Sequence, residues 1–453
     1  MAIEMLPRSV GRILIRSLLG CLCAALGACQ ADPDGFTEQD REFIQLMALT
    51  GNPVDTSNDF VISGSVGAAE LGQKLFFDPD LSGPLVASQD GQPAKLGAVG
   101  AAGRVACVDC HTPSGSFGDD RSSPNNVSLG LDYTSRNSPS LVNTAFYRWF
   151  AWDGRADSLW MQVGHAHESK KTMAGTRLRL AKLIAVRYPQ YQELFDAGFS
   201  RLDPSDAGMD TEFERADGGL IPLDGGSSAY LNQVSATAYK ALAAYISLLV
   251  SKNAPIDRYA AGDASALSPA AKRGLKLFLG RAGCVECHVG NTFTDNDFHS
   301  IGIGQRGLHV PASDEGRATG LRELLVNSLS VFNSLSPYND GIAKPARDLI
   351  ADGGAGLFRT KSLRNVANSP PYMHAGQLQS LQEVVRFYNS GGESTGFVGT
   401  RDPRVVPLGL TADEVEDLVA FLQALTGDPL PARLTCDPTP DAGSTAHRVG
   451  ACL

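Results

Sequence analysis

Two copies of a five-residue cysteine–histidine pattern constrain this chain more than any other feature. The pattern reads Cys107-Val-Asp-Cys110-His111 in the first copy and Cys284-Val-Glu-Cys287-His288 in the second. Two thiols three residues apart lie on one turn, where each can form a thioether with a haem vinyl group, and the histidine that follows can bind the iron. A redox or zinc-binding Cys-x-x-Cys site would not require a histidine at the fifth position twice. The sequence therefore predicts two covalently bound haem c groups.

A related ten-residue segment precedes each of these patterns. Residues 68–77 (AAELGQKLFF) and 270–279 (AAKRGLKLFL) are identical at six of ten positions. Ser268 and Pro269 are typical of the N-cap and the first residue of a helix. Residues 79–104, rich in Gly, Ala and Pro, lengthen the first copy and predict a surface loop. The repeat predicts two small cytochrome c-like helical domains related by duplication.

The apolar positions elsewhere indicate helices rather than strands. One stripe at helical spacing, which we expect to end at Asn253-Ala-Pro255, consists of Tyr239, Leu242, Ile246 and Leu249. Capping boxes at Ser380-Leu-Gln-Glu383 and Thr411-Ala-Asp-Glu414 predict two further helix starts. The second of these opens a stripe closed by Gly427 and formed by Val415, Leu418, Val419, Leu422 and Leu425. The predicted fold class is therefore mainly α and loop-rich.

These elements suggest the domain boundaries. We expect an N-terminal extension at residues 30–60, an N-terminal haem domain at 61–255 and a C-terminal haem domain at 256–430, with the boundary near Pro255. Residues 431–453 form a tail in which Cys436 and Cys452 are either joined by a disulfide or left as thiols.

The first 29 residues have the pattern of an export signal. Arg8, Arg12 and Arg16 precede a short apolar stretch, residues 17–28, that is too short to span a bilayer. The stretch ends at Leu26-Gly27-Ala28-Cys29, which resembles the lipobox of bacterial lipoproteins. Either Cys29 is lipidated and anchors the chain, or ordinary cleavage releases a soluble protein. Both alternatives predict the periplasm or cell envelope, where disulfides are stable.

Composition excludes several classes of protein. With 39 basic and 49 acidic side chains, the net charge is −10, which makes nucleic acid an unsuitable partner. A positively charged protein suits this balance better. The hydrophobic fraction of 43% excludes a disordered chain.

Four further motifs accompany the two cysteine–histidine patterns. They are residues 136–143 (RNSPSLVN), 152–162 (WDGRADSLWMQ), 358–365 (FRTKSLRN) and 371–374 (PYMH). In this order, the set resembles the bacterial dihaem cytochrome c peroxidase family, which includes the MauG-like enzymes. The resemblance runs from about Leu71 to about Thr426.

The resemblance implies a division of labour between the haems. Hydrogen peroxide would meet the N-terminal haem, with Gln162 in its distal pocket, and a ferryl state would be shared with the C-terminal haem through Trp152. Electrons would come from a small periplasmic cytochrome c or cupredoxin. Alternatively, the enzyme would oxidise Trp or Tyr residues of a partner protein, as MauG-like enzymes do, or the chain would be a dihaem electron carrier without peroxide chemistry.

The chain departs from the family pattern at two positions of the first haem pocket. Val127 stands roughly where a standard peroxidase has a capping histidine, which implies an open first haem at rest. Thr172 stands where the family has its catalytic glutamate, and a threonine hydroxyl is a poor proton shuttle. His165, His167 and Glu168 are candidate replacements; they are otherwise surface residues, or one histidine caps the iron.

For the second haem, the resemblance implies a tyrosine ligand. Tyr388 lies fourteen residues after His374, the position of the distal ligand, where MauG-like enzymes have tyrosine. A phenolate favours ferric iron, whereas a thioether such as that of Met373 favours ferrous iron. Tyr388 is otherwise a core residue. The resemblance also implies one calcium ion held at Asn137, Ser369 and Pro371.

Overall fold

The computed structural model describes residues 32–51, 66–88, 96–121, 127–195, 225–326, 331–339, 354–439 and 452. Within these ranges the fold is helical, with α1 at Glu38–Met47, α2 at Val66–Phe77, α3 at Leu159–Glu168, α4 at Arg177–Arg187, α5 at Gly225–Ser247, α6 at Pro255–Ala260, α7 at Pro269–Leu279, α8 at Arg317–Val326, α9 at Leu381–Asn389 and α10 at Ala412–Gln423. Two antiparallel two-residue strands, β1 (Phe298–His299) and β2 (Phe358–Arg359), pair Phe298 with Arg359. The mainly helical, loop-rich class is confirmed.

Residues Ile44–Leu453 form one compact unit, and a separate unit ends at Phe43. The predicted signal segment, with Cys29, lies outside the described residues, as do residues 30, 31 and 52–60 of the predicted 30–60 extension. In the described part of the chain, no helix is long and apolar enough to cross a lipid bilayer.

The two repeated segments form helices that make the same kind of close crossing. α2 packs against α5, and α7 packs against α10. A Cβ at Gly72 would lie 2.0 Å from the Ala241 carbonyl oxygen, and one at Gly274 would lie 1.9 Å from that of Asp417. The glycine shared by both copies therefore allows each pair of backbones to touch. This equivalence supports the predicted duplication.

The long helix α5 ends earlier than the sequence indicated. It stops at Ser247, and Pro255 does not close it but occupies the first turn of α6. Proline suits that position because its missing N–H would be unpaired there anyway. Leu249 lies beyond the helix yet is fully buried. The domain boundary near Pro255 stays a prediction.

The predicted helix starts are confirmed by their caps. Ser268 accepts a hydrogen bond from Ala271 N, and Thr411 and Glu414 form a reciprocal capping box. At Ser380 only half of the box is present, because Glu383 Oε2 accepts from Gln379 N rather than from Ser380 N. α10 ends at Gln423, four residues before Gly427, and all five residues of its predicted stripe are buried.

The segment that lengthens the first copy is a loop in its described parts, apart from one short turn at Pro79–Leu81. It is not simply a surface loop, because Leu81, Leu85 and Leu96 are buried in the core. Gly83 N and Val86 N donate to the carbonyls of Met173 and Leu131, so the loop is fixed to segments that lie after and before α3 in the chain.

The C-terminal tail packs back on the N-terminal half. Cys436 and Cys452 are joined by a disulfide. Tyr245 in α5 donates to the Leu434 carbonyl at 2.6 Å, and Gln73 in α2 donates to the carbonyls of Arg433 and Cys436. The tail therefore links elements from both ends of the sequence.

Candidate active site: two cavities with a shared wall

The first cysteine–histidine turn borders a cavity of about 350 Å³, here called the N-cavity. Cys107–Asp109 form a short helical turn, in which Asp109 Oδ2 accepts from Ala106 N at 2.7 Å. His111 Nδ1 lies 2.9 Å from the Phe117 carbonyl oxygen. Because a carbonyl only accepts, Nδ1 carries the proton and Nε2 keeps its lone pair.

The second turn repeats this arrangement at a cavity of about 280 Å³, the C-cavity. His288 Nδ1 lies 2.9 Å from the Phe293 carbonyl oxygen. Phe117 and Phe293 both have positive φ angles, 56° and 54°, which turn their carbonyls toward the imidazoles. The same backbone device therefore orients both histidines.

The donor set at each cavity fits a covalently attached haem. Cys107, Cys110, Cys284 and Cys287 are all free of disulfides. Burial lowers the pKa of His111 and of His288, so each ring stays neutral, which is the form that binds iron. Two thiols and one neutral imidazole, oriented through its Nδ1 beside a cavity, match what haem attachment requires.

Trp152 borders both cavities. Its Nε1 donates to the Asn137 carbonyl at 2.8 Å, and its ring centroid lies 6.4 Å from that of His374. The residues that border both cavities are Asn137, Ser138, Pro139, Ser140, Tyr147, Trp152, Arg359 and Lys361. The geometry places Trp152 in the wall between the two cysteine–histidine turns.

Three polar side chains of α3 have unpaired atoms at the N-cavity. Gln162 and His165 lie one helical turn apart, and both border this cavity. Gln162 Oε1, His165 Nε2 and His167 Nε2 are buried without a hydrogen-bond partner in the described structure, and His167 also borders this cavity. Burial lowers the pKa of His165 to about 4, so the ring is neutral at pH 7. These atoms are available to a small polar ligand.

His167 and Glu168 belong to a different network. His167 Nδ1 lies 2.9 Å from the Tyr239 hydroxyl, which donates to Glu168 Oε1 at 2.8 Å, and Glu168 pairs with Arg177. His165 and His167 are 6% and 3% exposed, so the alternative that these histidines are surface residues is wrong. Sequence reasoning missed the role of Tyr239, because its spacing indicated only a core stripe and it lies 71 residues from Glu168.

The side chains at the two positions that depart from the family pattern are either hydrogen-bonded or buried. Thr172 borders the N-cavity, but its hydroxyl donates to the carbonyls of Ala166 and Ser169. Val127 is buried, at 2% exposure.

Tyr388 borders the C-cavity together with Met373, and burial raises its pKa. Asn137, Ser369 and Pro371, the residues implied for calcium, border the same cavity. His374 stacks on Phe358, with 4.0 Å between ring centroids.

Among the described residues, one group of side chains has the spacing of a metal site, namely Cys287, Asp295 and His299. His299 is hydrogen-bonded to Asp295 at 2.8 Å and to Asp402 at 3.1 Å. Since Cys287 belongs to a predicted haem-attachment turn, this group is part of the surroundings of the C-cavity rather than a separate site.

Two attachment turns and two cavities in one helical fold define a c-type cytochrome with two haems. The family described as di-haem cytochrome c peroxidase matches residues 67–265. Cytochrome-c peroxidase IdrP2 of Denitromonas iodatirespirans is 32% identical over 376 residues, which cover 81% of this chain and 84% of that protein. The chain therefore belongs to the di-haem cytochrome c peroxidase family.

Relatives from both branches of this family are similar to the chain. The methylamine utilization protein MauG of Methylorubrum extorquens is 32% identical, covering 79% of this chain and 78% of that protein. The crystal structure of a MauG-like protein associated with microbial copper homeostasis has a TM-score of 0.56 at 24% identity, covering 86% of this chain and 97% of that one. The di-haem peroxidase BthA of Burkholderia thailandensis has a TM-score of 0.55 at 22% identity, covering 84% and 89%. The two structures agree with the chain in fold.

Proposed function

We propose that this protein reduces hydrogen peroxide at the N-cavity, with electrons from a small redox protein. The observation that carries the proposal is the pair of unpaired buried atoms, Gln162 Oε1 and His165 Nε2, beside the turn that ends in His111. Cys107, Cys110 and His111 would hold a haem, which would supply the redox chemistry for cleaving the O–O bond.

The protein groups then bind peroxide and move its protons. Gln162 Oε1 accepts a hydrogen bond from one O–H of peroxide, which orients it. His165 is neutral because burial lowers its pKa. It accepts the proton of one peroxide oxygen and returns it to the other oxygen, which leaves as water. In this role His165 replaces the family glutamate, whose position holds Thr172. Glu168 is held by Tyr239 and Arg177, which favours a supporting role, whereas His167, whose Nε2 is also unpaired, is the alternative proton acceptor.

We further propose that Trp152 carries electrons between the haems and that Tyr388 binds the iron of the second one. The position of Trp152 in the shared wall supports the first role, and the place of Tyr388 beside Cys284, Cys287 and His288 supports the second. A calcium ion at Asn137, Ser369 and Pro371 would hold the same wall. Export to the periplasm or cell envelope, with Cys29 as lipid anchor, would place the enzyme beside soluble electron donors.

The test is the resting spin state of both haems, measured by electron paramagnetic resonance, followed by peroxide turnover with reduced cytochrome c or cupredoxin. We expect one high-spin haem with an open face, one low-spin haem, and donor-dependent peroxide consumption. Two low-spin haems and no reaction with peroxide would instead indicate an electron carrier in which His165 or His167 binds the first iron.

A second function shares the same site. The position of Tyr388 favours MauG-like oxidation of Trp or Tyr residues in a partner protein, because an anionic ligand stabilises oxidised iron. Peroxide consumption that is independent of reduced cytochrome c but requires a partner protein, with new absorbance on that partner, would favour this function.

A further inference from the structure

The wall between the two cavities carries an unbalanced positive charge. Of the eight residues that border both cavities, Arg359 and Lys361 are the charged ones, and both are cations. Neither forms an ion pair with a carboxylate in the described part of the chain. Buried cations are costly unless an anion compensates them.

Arg359 is fixed in this wall with a free donor. It is 3% exposed, and the β1–β2 pairing aligns it with Phe298. Its backbone N donates to the Trp152 carbonyl at 2.8 Å, and its guanidinium lies 4.5 Å over the Tyr147 ring. Its Nη1 is buried and has no hydrogen-bond partner. This donor is available to a group that enters a cavity.

Lys361 lies over the tryptophan of the same wall. Its Nζ is 4.4 Å from the Trp152 ring centroid. The negative charge of Asp153 favours the charged form of Lys361. This carboxylate already forms ion pairs with Arg136 and Arg155, each at 2.7 Å. Burial lowers the pKa of Lys361 and that of Arg359, which is the direction expected for cations that lack a counterion.

We propose that Arg359 and Lys361 bind the propionate carboxylates of both haems, and so connect the two cofactors through one cationic wall over Trp152. Propionates are the anionic substituents of haem, and N–H donors to a carboxylate make strong, charge-assisted hydrogen bonds. The inference rests on the two haems of the proposed function but not on the reaction with peroxide.

A cation beside a haem stabilises the reduced form, because reduction removes positive charge from the iron. If both haems share these cations, removing one cation lowers both midpoint potentials. A residue that belonged to only one haem site would shift only one midpoint.

The experiment is a spectroelectrochemical titration of the holoprotein without peroxide. We expect Lys361→Met to lower both midpoint potentials and Lys361→Arg, which keeps the cation, to restore most of each shift. Lys272→Met is the matched control, because Lys272 also lies over an aromatic ring, that of Tyr259 at 5.4 Å, but borders neither cavity. We expect this control to leave both midpoints unchanged.

Unchanged midpoints in Lys361→Met, or a shift in only one haem, would overturn the proposal. If Lys361→Met accumulates without haem, resonance Raman spectra of Lys361→Arg decide instead. We expect the propionate bending bands of both haems to move, and unmoved bands would refute the proposal. Because no peroxide is used, the expected shifts in Lys361→Met together with a wild-type protein that lacks peroxidase activity would contradict the proposed function alone.

Discussion

At the scale of single residues, hydrogen bonds of one ring nitrogen decide what the other nitrogen can do. In His111 and His288 a backbone carbonyl holds the Nδ1 proton, which leaves Nε2 for the iron. In His167 the Tyr239 hydroxyl occupies Nδ1 and leaves Nε2 unpaired, and Nε2 of His165 is likewise unpaired beside the N-cavity. Burial lowers the pKa of both histidines to about 4, so the N-cavity is bordered by two neutral imidazoles.

We predict that His165→Gln slows the reaction with peroxide by about 10²–10⁴-fold, because the proton acceptor is lost. Stopped-flow mixing with peroxide measures the rate. His309→Gln is the control, since His309 stacks on Tyr133 and borders neither cavity. A wild-type rate in His165→Gln would show that another group moves the proton.

The low pKa of His165 predicts how the rate of the reaction with peroxide depends on pH. Because burial lowers the pKa of His165 to about 4, the acceptor form persists as pH falls from 7 to about 5 and disappears as pH passes through 4. The bimolecular rate constant with peroxide should be flat over the first range and fall below it. A decline centred between pH 6 and 7 would point to an unperturbed histidine instead.

Tyr388→Phe is predicted to change the optical and paramagnetic spectra of the second haem while leaving those of the first unchanged. The phenolate ligand would be lost, and ferric iron would lose the anion that stabilises it. Tyr372→Phe is the matched control, because Tyr372 borders the same cavity but donates its hydroxyl to the Val366 carbonyl. Identical second-haem spectra in Tyr388→Phe and wild type would refute the ligand assignment.

At the scale of elements, the helix crossings in the two halves depend on one glycine each. Gly72 meets Ala241 in α5, and Gly274 meets Asp417 in α10, at distances that no Cβ can occupy. The second cysteine–histidine turn begins five residues after α7, at Cys284, whereas the first begins thirty residues after α2, at Cys107.

We predict that Gly274→Ala lowers the free energy of unfolding by about 1–3 kcal/mol, because α7 and α10 would be forced apart. The sign is diagnostic, since alanine in an uncrowded helix interior is favoured over glycine by about 1 kcal/mol. Chemical denaturation of the holoprotein measures the change, with the exposed Lys276→Ala of the same helix as control. A stabilised Gly274→Ala would contradict the close crossing.

At the scale of the whole molecule, distant segments meet in the wall between the cavities. The wall combines residues 137–152 with residues 359–361, and Arg359 N bonds the Trp152 carbonyl directly. In the proposed function, electrons exchanged between haems in these cavities would pass this wall.

We predict that Trp152→Phe slows electron transfer between the haems without preventing their attachment. The variant also loses the Nε1 hydrogen bond to the Asn137 carbonyl, which costs about 1 kcal/mol of stability. Trp149→Phe is the control, because Trp149 is a tryptophan three residues earlier in the chain that borders neither cavity. Equal inter-haem rates in Trp152→Phe and Trp149→Phe, measured after rapid reduction, would remove Trp152 from the path.

Local pattern alone predicted much of this protein. The attachment turns, the capped starts of α7, α9 and α10, and the helical class follow from residues within a few positions of one another, where turn geometry and helix periodicity act. The end of α5 at Ser247 was missed because the apolar stripe continues to Leu249, which is buried without being helical.

Only the tertiary structure decided which polar groups face each cavity and which are already paired. Tyr239 reaches Glu168 across 71 residues, and Arg359 and Lys361 meet Trp152 across more than 200. Hydrogen bonds and burial between such distant positions leave no periodic trace in a sequence. They determine whether a histidine is exposed, paired or free, because pKa and hydrogen-bonding capacity depend on the folded surroundings.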